Sequence, residues 1–180
     1  LEAQLWVQKG WLAYDLRNFH VIDQCISNGI EFAEKAGDRR ILAEILIEIG
    51  QMERRLGEIE KARQHIANAA NFASKIGDNL LLAKCMRYLG LIAREENNLD
   101  EAKRLFTLAL EKADLEDDII GKRINQGLLG DLALRSGDLK TAENIFRERL
   151  EIERKIGKGR GLRITRGWRA EPLIGRAKLY

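Results

Sequence analysis

Gly10, Gly50, Gly90 and Gly130 stand forty residues apart. The same step links Ile22, Ala62, Ala102 and Ala142, and again Ile26, Ile66, Phe106 and Phe146. Three columns in one register, with no insertion, describe an internal repeat. A repeat of this length is one supersecondary unit stacked on copies of itself. Such a chain has no single central core, because each unit buries its apolar surface on its neighbours.

Within each unit the apolar residues recur at three- and four-residue spacing, the signature of amphipathic helices. The first unit carries Trp6, Leu12 and Leu16, then Val21, Ile22, Ile26, Ile30 and Phe32. The second carries Ile45, Leu46, Ile49 and Leu56, then Ile59, Ala62, Ile66, Ala69, Ala70 and Ala73. The third runs through Met86–Ala113, and the fourth has Leu128, Leu129, Leu132 and Leu134 before Leu139, Ala142, Ile145, Phe146 and Leu150. Turns fall at Arg17–Asn18, Gly57, Asn97–Asn98 and Gly137–Asp138, so each unit is a pair of helices. Units close at Gly37–Asp38, Gly77–Asp78 and Asp117–Asp118. A glycine there suits a left-handed C-terminal cap, and the aspartate caps the next helix. Asn18 is expected to cap its helix, and Asn98-Leu99-Asp100-Glu101 to form a capping box. Gly50, Gly90 and Gly130 are expected to face Ala62, Ala102 and Ala142, so that paired helices approach closely with Phe106 and Phe146 beside them.

The fold class expected is all-α: an α-solenoid of four antiparallel helix pairs plus a partial fifth. The array covers residues 1–157, with units at about 1–37, 38–77, 78–117 and 118–157. Residues 158–180 form a basic partial fifth repeat or a frayed tail, where Pro172 disrupts a continuous helix in either register. The chain does not begin with Met and Leu1 already lies in a helix pattern, which reads as a piece of a longer protein.

These residues resemble the tetratricopeptide repeat. Met86, Leu89–Gly90, Ala102, Phe106 and Ala109 carry the family pattern fully, and Leu46, Ile49–Gly50, Ala62, Ile66 and Ala69 nearly so. The fourth unit departs at Gln126 and Arg149; the first departs at Lys9, Ile22 and Gly29. The forty-residue form is longer than the commonest one. It is similar to the sensor arrays of bacterial signal-transduction ATPases and to scaffold arrays of spindle-orientation adaptors. The resemblance implies protein–protein recognition along a concave face made by the first helix of each unit.

Transferred to this chain, that face takes Gln4, Val7, Trp11, Tyr14 and Asp15 from the first unit, and Glu44, Ile47, Gln51, Arg54 and Arg55 from the second. Lys84, Arg87, Leu91, Arg94 and Glu95 follow, then Ile124, Asp131, Leu134 and Arg135. The partner-binding candidates among them are Trp11, Tyr14, Arg54, Arg55, Lys84, Arg87 and Arg94, arginines and aromatics being the usual anchors of interfaces. The partner expected is a protein or peptide, acidic in character. The asparagine-rich clamp of chaperone-binding members is absent.

Charge supplies the alternative. Residues 1–154 hold 23 Lys/Arg against 27 Asp/Glu, a balance of −4, whereas residues 155–180 hold eight Lys/Arg and only Glu171, a balance of +7. Arg160, Arg163, Arg166 and Arg169 recur every three residues beside Trp168, a pattern that suits nucleic acid or another polyanion. A solvated face of an incomplete repeat is the preferred reading, and nucleic acid is not the partner expected.

No catalytic residue, cofactor or metal is expected. Gly157-Lys158-Gly159-Arg160-Gly161 lacks the spacing and the hydroxyl of a phosphate loop. Glu116–Asp117–Asp118 lacks the alternating ligands and glycine of a calcium loop. His20 and His65 have no ligand-spaced neighbours, and Cys25 and Cys85 read as buried free thiols of a reducing, cytoplasmic compartment. Nothing has the length of apolar run a membrane span needs.

Overall fold

The computed structural model describes residues 1–157, and the expected partial fifth repeat with its arginines and Trp168 lies outside the described residues. Eight α-helices follow one another: α1 (Glu2–Asp15), α2 (Ile22–Lys35), α3 (Arg39–Leu56), α4 (Ile59–Ile76), α5 (Asn79–Glu95), α6 (Leu99–Leu115), α7 (Ile119–Arg135) and α8 (Leu139–Gly157). There is no strand among the described residues.

Packing follows sequence order. The closest pairs are α1 with α2, α3 with α4, α5 with α6 and α7 with α8; each second helix then packs on the next first helix. Among the described residues no helix touches another more than two places away. The first helices also touch one another (α1 with α3, α3 with α5, α5 with α7), whereas the second helices do not. The side made by the first helices is therefore the more closely spaced one, and the stack bends toward it.

The junctions obey the caps. Asp38 Oδ1 accepts from the Arg40 and Ile41 amides at 2.8 and 3.3 Å. Asp78 accepts from Leu81, Asp118 from Gly121 and Asp138 from Thr141, at 2.9, 2.9 and 3.1 Å. Each cap satisfies a helix N–H that has no partner within the helix, a gain of about 1 kcal/mol. Two caps differ from expectation. Asn18 makes no side-chain cap; a 3-10 turn at Phe19–Val21 leads into α2 instead. At Asn98 only half of the box forms: its oxygen accepts from Glu101 N at 3.3 Å, but the Glu101 carboxylate turns outward to Arg104, 2.7 Å away at both oxygens.

The core is densest where α3, α4 and α5 meet. Leu46, Ile47, Ile66, Leu81, Cys85 and Ile92 are buried there with Ala43, Ala62, Ala69 and Ala73. Burying one Leu, Ile or Phe side chain contributes roughly 1.5–3 kcal/mol. At the glycine column the nearest side chain of the second helix is the bulky one, and Gly50 also meets Ala62 as expected. A Cβ on Gly90 would lie 2.6 Å from the Phe106 ring, and one on Gly130 2.7 Å from the Phe146 ring. On Gly50 it would meet Ile66 at 2.6 Å and the Ala62 carbonyl at 3.0 Å. The bulky residue of the second helix thus lies on the glycine itself, not beside it. Leu12 of α1 and Leu16, its C-cap, are not core residues but are 58% and 70% exposed; Ala3, Val7, Gly10 and Ala13 face inward.

Candidate functional site

The first-helix face is a ladder whose rungs join neighbouring units. Trp11 Nε1 donates to Glu48 Oε2 at 3.2 Å, and one unit later Gln51 Nε2 donates to the Tyr88 hydroxyl. Both pairs are 37 residues apart, one helical turn short of the period. The next pair of the same columns is Leu91 and Leu128, and both pack on one apolar cluster. A second line of rungs spans 41 residues, with the Arg54 guanidinium bonded to Glu95.

Cations lie on aromatic faces beside these rungs. The Arg55 guanidinium sits 5.1 Å over Trp11, which meets Tyr14 edge-on at 6.0 Å; Tyr14 in turn meets Phe19 at 6.4 Å. Arg87 lies 5.3 Å over Tyr88. Trp11 is thus held by a hydrogen bond at one edge and a cation on its face, so little side-chain freedom remains for a ligand to remove.

The seven candidates are not equivalent. Trp11, Tyr14, Arg54, Arg55 and Arg87 are engaged within the chain as described. Arg54 also keeps a buried Nε without a hydrogen-bond partner. Lys84 is exposed and lines a pocket of about 290 Å³ with Arg40, Glu44, Leu80, Leu81, Glu116 and Asp118. Its surroundings are more acidic than basic. Arg94 is half-buried and makes no ion pair among the described residues. Val7 and Ile47, expected on the face, are buried at 5% and 2% exposure. Helical spacing alone could not tell the groove from the seam between neighbouring first helices, one residue's rotation away. Gln4, Asp15, Glu95, Ile124, Asp131, Leu134 and Arg135 are exposed, and Glu44, Gln51 and Leu91 half-buried.

Two groups escaped the sequence. Glu48 and Tyr88 complete rungs, and only the 37-residue offset would have revealed them. The other is Glu53, 2% exposed, whose Oε2 lies 2.7 Å from His65 Nδ1. His65 also borders a groove of about 350 Å³ between α2 and α4, with Asn68, Asn71, Phe72 and Glu34 around it.

The acidic run at the third junction is divided among structural tasks: Glu116 accepts from Asn79 at 2.8 Å, Asp117 lies 3.8 Å from Lys122, and Asp118 caps α7. Lys122 is held above its usual pKa, first by its hydrogen bond to Asp114. No cluster of three or more His, Cys, Asp or Glu suited to a metal occurs among the described residues. Cys25 and Cys85 are buried free thiols, and burial pushes Cys85 up to about 12. No helix among the described residues is long and apolar enough to cross a membrane.

Comparison with known proteins addresses the fold. The tetratricopeptide-repeat family model matches residues 41–114. Among solved structures the chain is similar to the crystal structure of BtubC (BKLC) from P. vanneervenii, with a TM-score of 0.73 and 14% identity, over 95% of this chain and 69% of that one. At that identity the likeness speaks for fold alone. No curated protein matches the sequence. Tetratricopeptide repeats in general mediate protein–protein interactions. Residues 41–114 match the tetratricopeptide repeat, and the paired helices and stacked architecture make the chain an all-α helical-repeat solenoid.

Proposed function

We propose that the chain is a protein-recognition module that takes a partner segment along its first-helix face. Trp11, Tyr14, Arg54, Arg55, Lys84, Arg87 and Arg94 contribute to the contact. The observation that carries this reading is the fixed arginine-on-aromatic pairing, Arg55 on Trp11 and Arg87 on Tyr88. It offers rigid apolar area and a planar cation at one place, the combination that dominates binding energy at interfaces. An acidic segment with an apolar residue near Trp11 fits it. The array over 1–157 is the recognition unit, and the long repeat suits the sensor or scaffold part of a larger regulatory protein, as in the signal-transduction ATPases it resembles.

Replacing Arg55 and Arg87 together by Ala removes the cations and leaves the helices their best former. The expected result is a partner affinity at least tenfold lower with a nearly unchanged melting temperature. Unchanged affinity would sink the reading. The second reading rests on the +7 balance of residues 155–180: a polyanion held by the tail. Binding of that kind weakens steeply with salt and is lost on deleting residues 158–180, while the Arg55/Arg87 variant keeps it.

A further inference from the structure

By register, one rung of the ladder pairs two arginines. Rungs of the second line join a residue to the one 41 positions on, as Arg54 is joined to Glu95. The forty-residue step carries Arg54 to Arg94 and Glu95 to Arg135. By the same register, and with α5 touching α7 as α3 touches α5, the third and fourth units bring an arginine toward an arginine where the second and third bring an arginine to a carboxylate. In the first rung of this line the same columns hold Tyr14 and Arg55, and Arg55 lies on the neighbouring Trp11 ring. Of the three rungs of this line, Arg94–Arg135 alone has no group among the described residues to receive its charge.

The acids nearby do not supply one. Glu95 is taken by Arg54, and Glu96 by Arg63, whose pKa that bond raises. Asp131, one turn before Arg135, stands in the column of Trp11, Gln51 and Leu91, and makes no ion pair among the described residues. Neighbouring helices in contact have axes about 8–10 Å apart, within the reach of two long arginine side chains converging on one anion from both sides. Two leucines stand beside the rung: Leu134, 39% exposed, precedes Arg135, and Leu91 stands one turn before Arg94.

We infer that Arg94 and Arg135 form an open rung that takes an anionic group of the partner, a carboxylate or a phosphate, at the place where Glu95 closes the preceding rung. This rests on the first-helix face being the docking side, and it adds the position of the acid and an aliphatic neighbour for it against Leu134. Recognition then consists of completing a ladder the protein leaves unfinished.

The test follows the arginine Nε–Hε signals of the labelled chain by NMR while glutarate or inorganic phosphate is added. Arg94 and Arg135 should respond together, saturably, with a midpoint at least tenfold below that of Arg147, which already has Glu143. Saturation by glutarate identifies a carboxylate side chain as the natural group; saturation by phosphate alone identifies a phosphorylated one. Arg135→Glu should close the rung from within, abolishing the Arg94 response at an unchanged or higher melting midpoint. If Arg94 and Arg135 respond no better than Arg147, or if Arg94 still responds in Arg135→Glu, the open rung is wrong. A response at Arg55 and Arg87 without one at Arg94 and Arg135 also overturns the rung but leaves the face reading standing. That reading falls only with the Arg55/Arg87 variant.

Discussion

At the scale of single residues, Glu53 and His65 carry the largest local risk. Burying a carboxylate costs several kcal/mol unless it is bonded, and the bond to His65 is its side-chain hydrogen bond in the structure. The columns show how unusual the pair is. Position 53 is Ala13, Ala93 and Ala133 in the other units, and position 65 is Cys25, Leu105 and Ile145. The second unit has replaced an apolar contact by a polar one at both ends. His65→Leu alone should therefore cost about 1–3 kcal/mol, because the buried acceptor loses its partner. The double change Glu53→Ala with His65→Leu, which copies Ala93 and Leu105 of the third unit, should recover most of that loss. Urea denaturation of the four proteins in the cycle decides it. A double variant no more stable than His65→Leu would mean that the two groups are independent. Periodicity in composition could not reveal the pair, since both residues fall on a helical face already counted as apolar. Reading down the columns would have done so.

At the scale of elements, the turns repeat one backbone with unequal residues. Gly37, Gly57, Gly77 and Gly137 take positive φ, from 68° to 84°, and the same conformation falls on Arg17 (55°), Asn97 (62°) and Asp117 (50°). A side chain there crowds the following carbonyl, at roughly 1–2 kcal/mol for most residues and less for Asn or Asp. Arg17→Gly should therefore stabilise the chain by about 0.5–1 kcal/mol, after the greater freedom of glycine in the unfolded chain is set against the relief. Asp117→Gly should gain less. Urea midpoints of the two variants give the order, and a loss of stability at both would mean that the turns are held by their side chains. The turn positions were legible because Gly-Asp and Asn-Asn are punctuation in any helical chain. The rungs were not. They depend on how far one helix slides along the next, which sets offsets of 37 and 41 rather than 40. For the same reason helical spacing fixed the expected face only to within a residue's rotation, and Val7 and Ile47 of that face are buried.

At the scale of the whole molecule, contacts that reach only two helices away make stability a sum over neighbours. The ends should open more readily than the middle. Leu5 and Leu12 are 56% and 58% exposed, although their columns are buried at Ile45, Cys85, Met52 and Ile92. The two thiols report on this directly, for Cys25 lies in α2 and Cys85 in the central core. Burial holds both thiols above their usual pKa, and Cys85 at about 12. That contribution to stability is intact below pH 9.0 and lost as pH climbs toward 12. Labelling at pH 8 must wait for opening. Using single Cys→Ser variants, Cys25 should react severalfold faster than Cys85; equal rates would mean that the chain opens as one unit. The junctions have a further consequence. Gly37–Asp38 and Gly77–Asp78 are the same turn, with φ of 68° and 72° at the glycines. Cutting out residues 38–77 would rejoin Gly37 to Asp78 without a new bend. Trp11 would then meet Tyr88 in place of Glu48, and Glu53 would leave together with His65. For a gene that encodes such a chain, the in-frame loss or doubling of one unit changes how far the protein reaches while leaving its fold alone.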